Sequence, residues 1–183
     1  MKQARAALFL PCLALAVVAL PVAAQVPSGK AVVAPAAYAS FDPVSRGAAF
    51  QVAVVLKIRP GFHVNAREVT EDYLIRTDLR VEVPAGFKAG DVLYPKGTMQ
   101  TFPFSKNKPL NVYTDSVTLY LPVTALPNAP EGAQHLPMKL RYQACSDEIC
   151  LPPVTLDLDV PVNVAATPGA ARPAHPEVFS PRK

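Results

Sequence analysis

The chain has 183 residues, half of them hydrophobic, with 21 prolines, three cysteines, no tryptophan and a formal net charge of +4. That length suits one domain with appendages, and the hydrophobic share is enough for a core. Prolines so frequent and scattered exclude long helices and favour short strands joined by turns, while the small charge without a basic cluster excludes a nucleic-acid footprint.

The chain opens as a targeting signal. "MKQAR" is a positive n-region, "AALFLPCLALAVVAL" an apolar h-region, and "PVAAQ" offers Val22 and Ala24 as the small residues before a cut after Ala24. The apolar run nearly reaches membrane-spanning length, but Pro11, Pro21 and the cleavage site favour a signal peptide over 1–24 that is removed, taking Cys12 with it. Loss of Lys2 and Arg5 lowers the formal charge from +4 to +2. No later apolar run could span a membrane, so the mature chain is expected to be exported and soluble. Residues 25–40 read as a loose arm, 41–163 as the domain, and the Pro/Ala-rich 164–183 as a disordered tail.

Within the domain, "AFQVAVVLKI" puts Phe50, Val52, Val54, Leu56 and Ile58 on one face. Between this strand and the next, "NAREVTEDYLI" keeps a weak helical alternative. "LRVEVP" alternates Leu79, Val81 and Val83 against Arg80 and Glu82. "SVTLYLPV" alternates from Val117 to Val123, "MKLRYQA" from Met138 to Ala144, and "VTLDLDV" from Val154 to Val160. Period two with one polar face is the pattern of antiparallel strands buried on one side. With weaker candidates at "DVLY" and Tyr38 to Phe41, this makes about seven strands and predicts an all-β, immunoglobulin-like antiparallel β-sandwich. "PAGFKAG", "YPKG" and "LPNAPEG" supply the turns.

"RYQACSDEICLPPV" holds the two cysteines that survive cleavage, Cys145 and Cys150, with four residues between them. Strand phase puts Cys145 with Lys139, Arg141 and Gln143 on the solvent side. A disulfide is geometrically feasible if the Cα atoms approach within about 7 Å, and so short a loop makes it a weak entropic staple. Three readings remain open from the residues: a local structural disulfide, a redox pair without the Cys-x-x-Cys spacing, and a metal site using His63 or His135.

The segment "YQACSDEICLPP" resembles the active-site segment of the N-terminal domain of DsbD, the thiol:disulfide interchange protein of the bacterial periplasm. "GFHVNA", "VPAGFKAGDVLYPKG" and "VYTDSVTLYLPV" follow that family's order, so the resemblance covers roughly 41–162. It implies an immunoglobulin-like fold and a redox-active cysteine pair that needs no cofactor and no metal. It also implies that Cys150 forms mixed disulfides with partners and that Cys145 resolves them. A cap loop is expected in "QTFPFSKNKPL", with Phe104, or in second place Phe102, over the disulfide; ordinary core packing is the competing role for both rings. His63 and Asn65 match positions beside the pair, with Tyr142 as a third candidate neighbour. For His63, a satisfied, partly buried histidine is preferred over a catalytic base.

By this resemblance the protein acts as a periplasmic protein-disulfide reductase, with thioredoxin-like partners and no nucleic acid. Full-length DsbD continues into a multi-helix membrane domain and a thioredoxin-like domain. Neither pattern occurs in these 183 residues, so the expectation is either a free carrier served by a separate membrane electron transporter or a domain that has drifted to a different client. Asp147 and Glu148 beside Cys150 disfavour a thiolate, partly offset by Arg141, so reactivity is expected to depend on partner docking. The rival is a non-enzymatic immunoglobulin-like binding module with a structural disulfide.

Overall fold

The computed structural model describes residues 26–167 and 169–179; the expected signal peptide, its cleavage site and Cys12 lie outside them. Twelve strands run through the described residues: β1 (Val33–Ala39), β2 (Val44–Ser45), β3 (Ala49–Ile58), β4 (His63–Asn65), β5 (Asp78–Val81), β6 (Phe87–Ala89), β7 (Thr98–Thr101), β8 (Pro109–Tyr113), β9 (Ser116–Ala125), β10 (Gly132–Tyr142), β11 (Ala144–Cys145) and β12 (Val154–Ala165). They form three four-stranded sheets, ordered β1-β3-β9-β6, β2-β12-β10-β5 and β11-β4-β8-β7. Every pairing is antiparallel except that of β2 with β12. The fold is all-β and immunoglobulin-like.

The period-two segments build the first two sheets. β3 and β9 lie in register from Ala49↔Thr124 to Lys57↔Ser116, which turns Val52, Val54, Leu56, Leu119 and Leu121 to one side. β10 and β12 do the same from Gly132↔Val164 to Tyr142↔Val154, turning in Leu136, Met138, Leu140, Val160 and Val162. These two inner faces make the main core. Each fully buried leucine there contributes about 1.5–3 kcal/mol of transfer free energy. The third sheet has its own smaller core of Leu74, Phe102, Leu110 and Val112. The turn at "PAGFKAG" needs its glycine: Gly86 has φ +85°, and an added Cβ would stand 2.6 Å from the Ala129 Cα.

Several expectations are corrected. Residues 33–39 of the supposed loose arm are β1, paired along their whole length with β3, and Val32 and Val33 are buried. The arm's Ala and Pro hide this because backbone pairing, not side-chain periodicity, holds an edge strand. The described part of the tail, too, is placed. β12 continues to Ala165, and beyond it the Asp42 N–H donates to the Arg172 carbonyl and the Ala174 N–H donates to the Ser40 carbonyl, both at 2.9 Å. The described residues then close with a single helical turn, α1 (Pro176–Phe179), where Tyr120 Oη donates to the Val178 carbonyl at 2.9 Å. Val83 is exposed, since β5 stops at Val81. Residues 66–77 form an irregular loop instead of the weak helical alternative.

Candidate functional site

The third sheet carries the cysteines. β10 ends at Tyr142, and the chain leaves the second sheet at Gln143 to enter the third as β11. Gln143 ties this crossing down, accepting from the Ile75 N–H at 3.4 Å and donating to the Leu151 carbonyl at 3.3 Å. Its role is not visible in the alternation of the strand; the Tyr-Gln-x-Cys string is the one signal for it. Because the crossing shifts the phase, Ala144 and Cys145 are both buried, and Cys145 is only 1 % exposed. The expected solvent-facing Cys145 is therefore corrected.

Cys145 and Cys150 form a disulfide with Cα atoms 4.0 Å apart. The hairpin between them is set by "SDEI". The Ser146 N–H donates to the Ile149 carbonyl at 2.8 Å, and Ser146 Oγ accepts from the N–H groups of Glu148 and Ile149 at 3.2 Å. A serine hydroxyl that satisfies backbone two and three residues on is a local turn former. Leu151 N–H then closes the base on the Ala144 carbonyl at 2.8 Å. Asp147, Glu148, Ile149 and Cys150 are exposed at the tip. One sulfur of the pair thus belongs to a sealed residue and the other to an open one.

His63 is the register partner of Cys145, through the pairing of β4 with β11. It is 2 % exposed, and its Nε2 has no hydrogen-bond partner among the described residues. The satisfied, partly buried histidine expected from the sequence is corrected on both counts. Burial lowers its pKa from 6.5 to about 4, against a smaller upward pull from Asp147, so the ring is neutral at pH 7.

Asn65, two residues along β4, is also buried. Its Nδ2 donates to the Ile75 carbonyl at 3.0 Å, its own carbonyl accepts from Thr77 Oγ1 at 2.6 Å, and its Oδ1 is unpartnered. Asn65 therefore pins the 66–77 loop. Tyr142 does not join the site: it is fully buried in the main core, with its hydroxyl donating to the Gly29 carbonyl at 2.9 Å.

The "QTFPFSKNKPL" segment joins β7 to β8 by a short 3-10 turn over Pro103–Ser105. Ser105 Oγ donates to the Phe102 carbonyl and accepts its N–H, at 2.9 and 3.2 Å. Lys106 and Asn107 take left-handed conformations to close the loop. Phe102 stacks on His63 with ring centroids 3.9 Å apart and planes 17° from parallel. Phe104 lies beside it, 5.5 Å from Phe102 and 6.2 Å from His63. Phe102 is the buried ring of the two, seated in the small core; Phe104 is half-buried. Among the described residues there is no cluster of three or more His, Cys, Asp or Glu that could hold a metal ion, and His135 instead pairs with Asp159 at the surface.

A family model described as "Thiol:disulfide interchange protein DsbD, N-terminal" matches residues 30–161. The chain belongs to the DsbD N-terminal domain family. Membership gives it a general oxidoreductase-type role in thiol–disulfide exchange. Among solved structures it is similar to the DsbD N-terminal domain of Neisseria meningitidis in the reduced form, at 20% identity and a TM-score of 0.47, covering 75% of this chain and 90% of that one. It is also similar to the N-terminal periplasmic domain of ScsB from Proteus mirabilis, at 12% identity and a TM-score of 0.46, covering 69% of this chain and 44% of that one. No protein of curated function matches the sequence. No helix among the described residues is long and apolar enough to cross a membrane.

Proposed function

We propose that this member of the DsbD N-terminal family is a periplasmic carrier of reducing equivalents. It takes them from a thioredoxin-like donor or a separate membrane reductase and passes them to client protein disulfides through Cys145 and Cys150. The observation that carries this reading is the division of exposure within one disulfide, Cys150 open at a hairpin tip and Cys145 sealed behind it.

In the reduced protein the Cys150 thiolate attacks one sulfur of a client disulfide. The client's S–S bond breaks, and its other sulfur leaves as a thiolate and takes up a proton. Cys145, deprotonated, then attacks Cys150 Sγ and expels the second client thiolate, leaving the Cys145–Cys150 disulfide and a client reduced by two electrons. A donor dithiol reverses these steps. With Ile149 exposed beside the exposed Cys150, the site suits a docking protein.

The reduction potential tests the reading. A carrier is expected above about −300 mV and in exchange with a thioredoxin-like protein, whereas a value below that with no exchange would make the pair a staple in a binding module.

The aromatic pair beside His63 is read as the cap of the site, with unequal parts. Phe104→Ala should speed reduction by glutathione with a modest stability loss, since the ring is only half-buried. Phe102→Ala should cost about 3–5 kcal/mol, because it empties the small core. Unchanged glutathione kinetics in Phe104→Ala would remove Phe104 from the cap.

A further inference from the structure

The Nε2 atom of His63 is a buried polar atom without a partner among the described residues, and such atoms are rare because they are destabilising. Its place in the sheet is specific. His63 stands directly across from Cys145, and side chains of directly opposed residues share a face with Cβ atoms about 4.5–5.5 Å apart. Phe102 holds the imidazole plane, so the ring is not free to turn out to solvent. In the disulfide, the Cys145 sulfur has neither a proton to donate nor a charge to attract one.

We propose that His63 Nε2 is a hydrogen-bond site for the Cys145 sulfur in the reduced state, so that His63 sets the redox balance of the pair. This deepens the exchange reading above and rests on it. When a donor thiolate attacks Cys150 Sγ, the S–S bond breaks and its electron pair passes to Cys145 Sγ, which becomes a thiolate inside a sealed site. A second donor thiolate then releases Cys150, and two protons from solvent complete the dithiol. A neutral imidazole serves both forms of the Cys145 sulfur: as the Nε2–H tautomer it donates to the thiolate, and as the Nδ1–H tautomer it accepts from the thiol. Burial keeps the ring neutral at pH 7, which leaves both tautomers available.

Reduction thereby satisfies an atom that oxidation leaves orphaned, and the dithiol gains relative to the disulfide. Asn65 Oδ1, also unpartnered among the described residues, belongs to a residue opposite Val112 of β8 and not opposite a cysteine, so the same argument does not reach it.

The test equilibrates the wild-type chain and His63→Phe in glutathione redox buffers and reads the reduced fraction by thiol alkylation. Phenylalanine keeps the stack on Phe102 and removes the polar atom. The equilibrium constant for reduction should fall about tenfold, equivalent to about 30 mV for this two-electron couple. His63→Gln, which retains a donor and an acceptor, should recover part of the loss. Thermal unfolding should show the reduced form of His63→Phe weakened and the oxidised form as stable as wild type or more so. An unchanged constant overturns the proposal, as does equal loss of stability in both forms, which would mean that Nε2 serves a neighbour such as Asn65 in either state. Should His63→Phe not fold, the wild-type chain decides alone: the 15N resonance of His63 Nε2 must shift on reduction, and a static resonance sinks the idea. A wild-type pair that never equilibrates with glutathione or a thioredoxin-like protein would instead defeat the exchange reading itself.

Discussion

A reduced Cys145→Ser variant should give a mixed disulfide through Cys150, trapped by alkylation, when mixed with an oxidised thioredoxin-like protein, while Cys150→Ser should trap little. The asymmetry follows from access. Thiol–disulfide exchange needs the attacking sulfur, the attacked sulfur and the leaving sulfur in line, and a residue 1 % exposed cannot present its sulfur to a second protein. Cys150, exposed at the end of a turn fixed by Ser146, can do so with little rearrangement. Once the resolving thiol is lost, the adduct on Cys150 is released only when the client's freed thiol attacks back and re-forms the client disulfide, so alkylation of that thiol traps it. Non-reducing gels followed by mass spectrometry of the linked peptide would measure it. Adducts found mainly on Cys145 would reassign the two roles, and no adduct on either would leave only a structural disulfide.

How much of this was legible in the sequence depends on what holds each part. β3, β9, β10 and β12 could be read from alternation because each buries one face against the main core, and Val52 to Leu56 or Leu136 to Leu140 write that burial directly into residue type. β1 could not, since it is an edge strand held through its backbone, and Ala and Pro do not advertise it. The third sheet was missed as a unit because its strands are short: β4 has three residues and β11 two. Strands of that length carry no period.

The same brevity misplaced Cys145. Extending the phase of Met138, Leu140 and Tyr142 through Gln143 assumes one continuous strand, whereas the chain changes sheets there. The cysteines themselves were legible as a pair by spacing, and as a redox pair only by resemblance to the DsbD family. The burial of His63 was beyond reach from its neighbours in sequence, since the ring that covers it, Phe102, comes from the distant connection between β7 and β8.

His63 also makes the oxidised domain sensitive to mild acid. Burial lowers its pKa to about 4 in the folded chain, whereas the unfolded chain titrates near 6.5. Between these values the unfolded state binds the proton and the folded state does not. Stability is therefore full above pH 6.5, falls as the pH drops towards 4, and loses nothing further from this group below that. A shift of this size corresponds to about 3 kcal/mol, a large share of the ~5–15 kcal/mol typical of a domain. Asp147 already opposes the shift, so Asp147→Asn should deepen the loss.

The window separates His63 from the carboxylates. At Asp78 burial works to raise the pKa, yet the hydrogen bonds from Arg80 and Arg67 hold it below the usual value, so its contribution is lost only in stronger acid. Urea unfolding of the oxidised wild type and His63→Phe between pH 4 and 7.5 would measure the effect. The exposed His135 and His175 remain in both proteins, so the difference between the curves isolates His63. The variant should be nearly flat where the wild type slopes, and parallel curves would mean that the imidazole takes up its proton in the folded state as readily as in the unfolded chain.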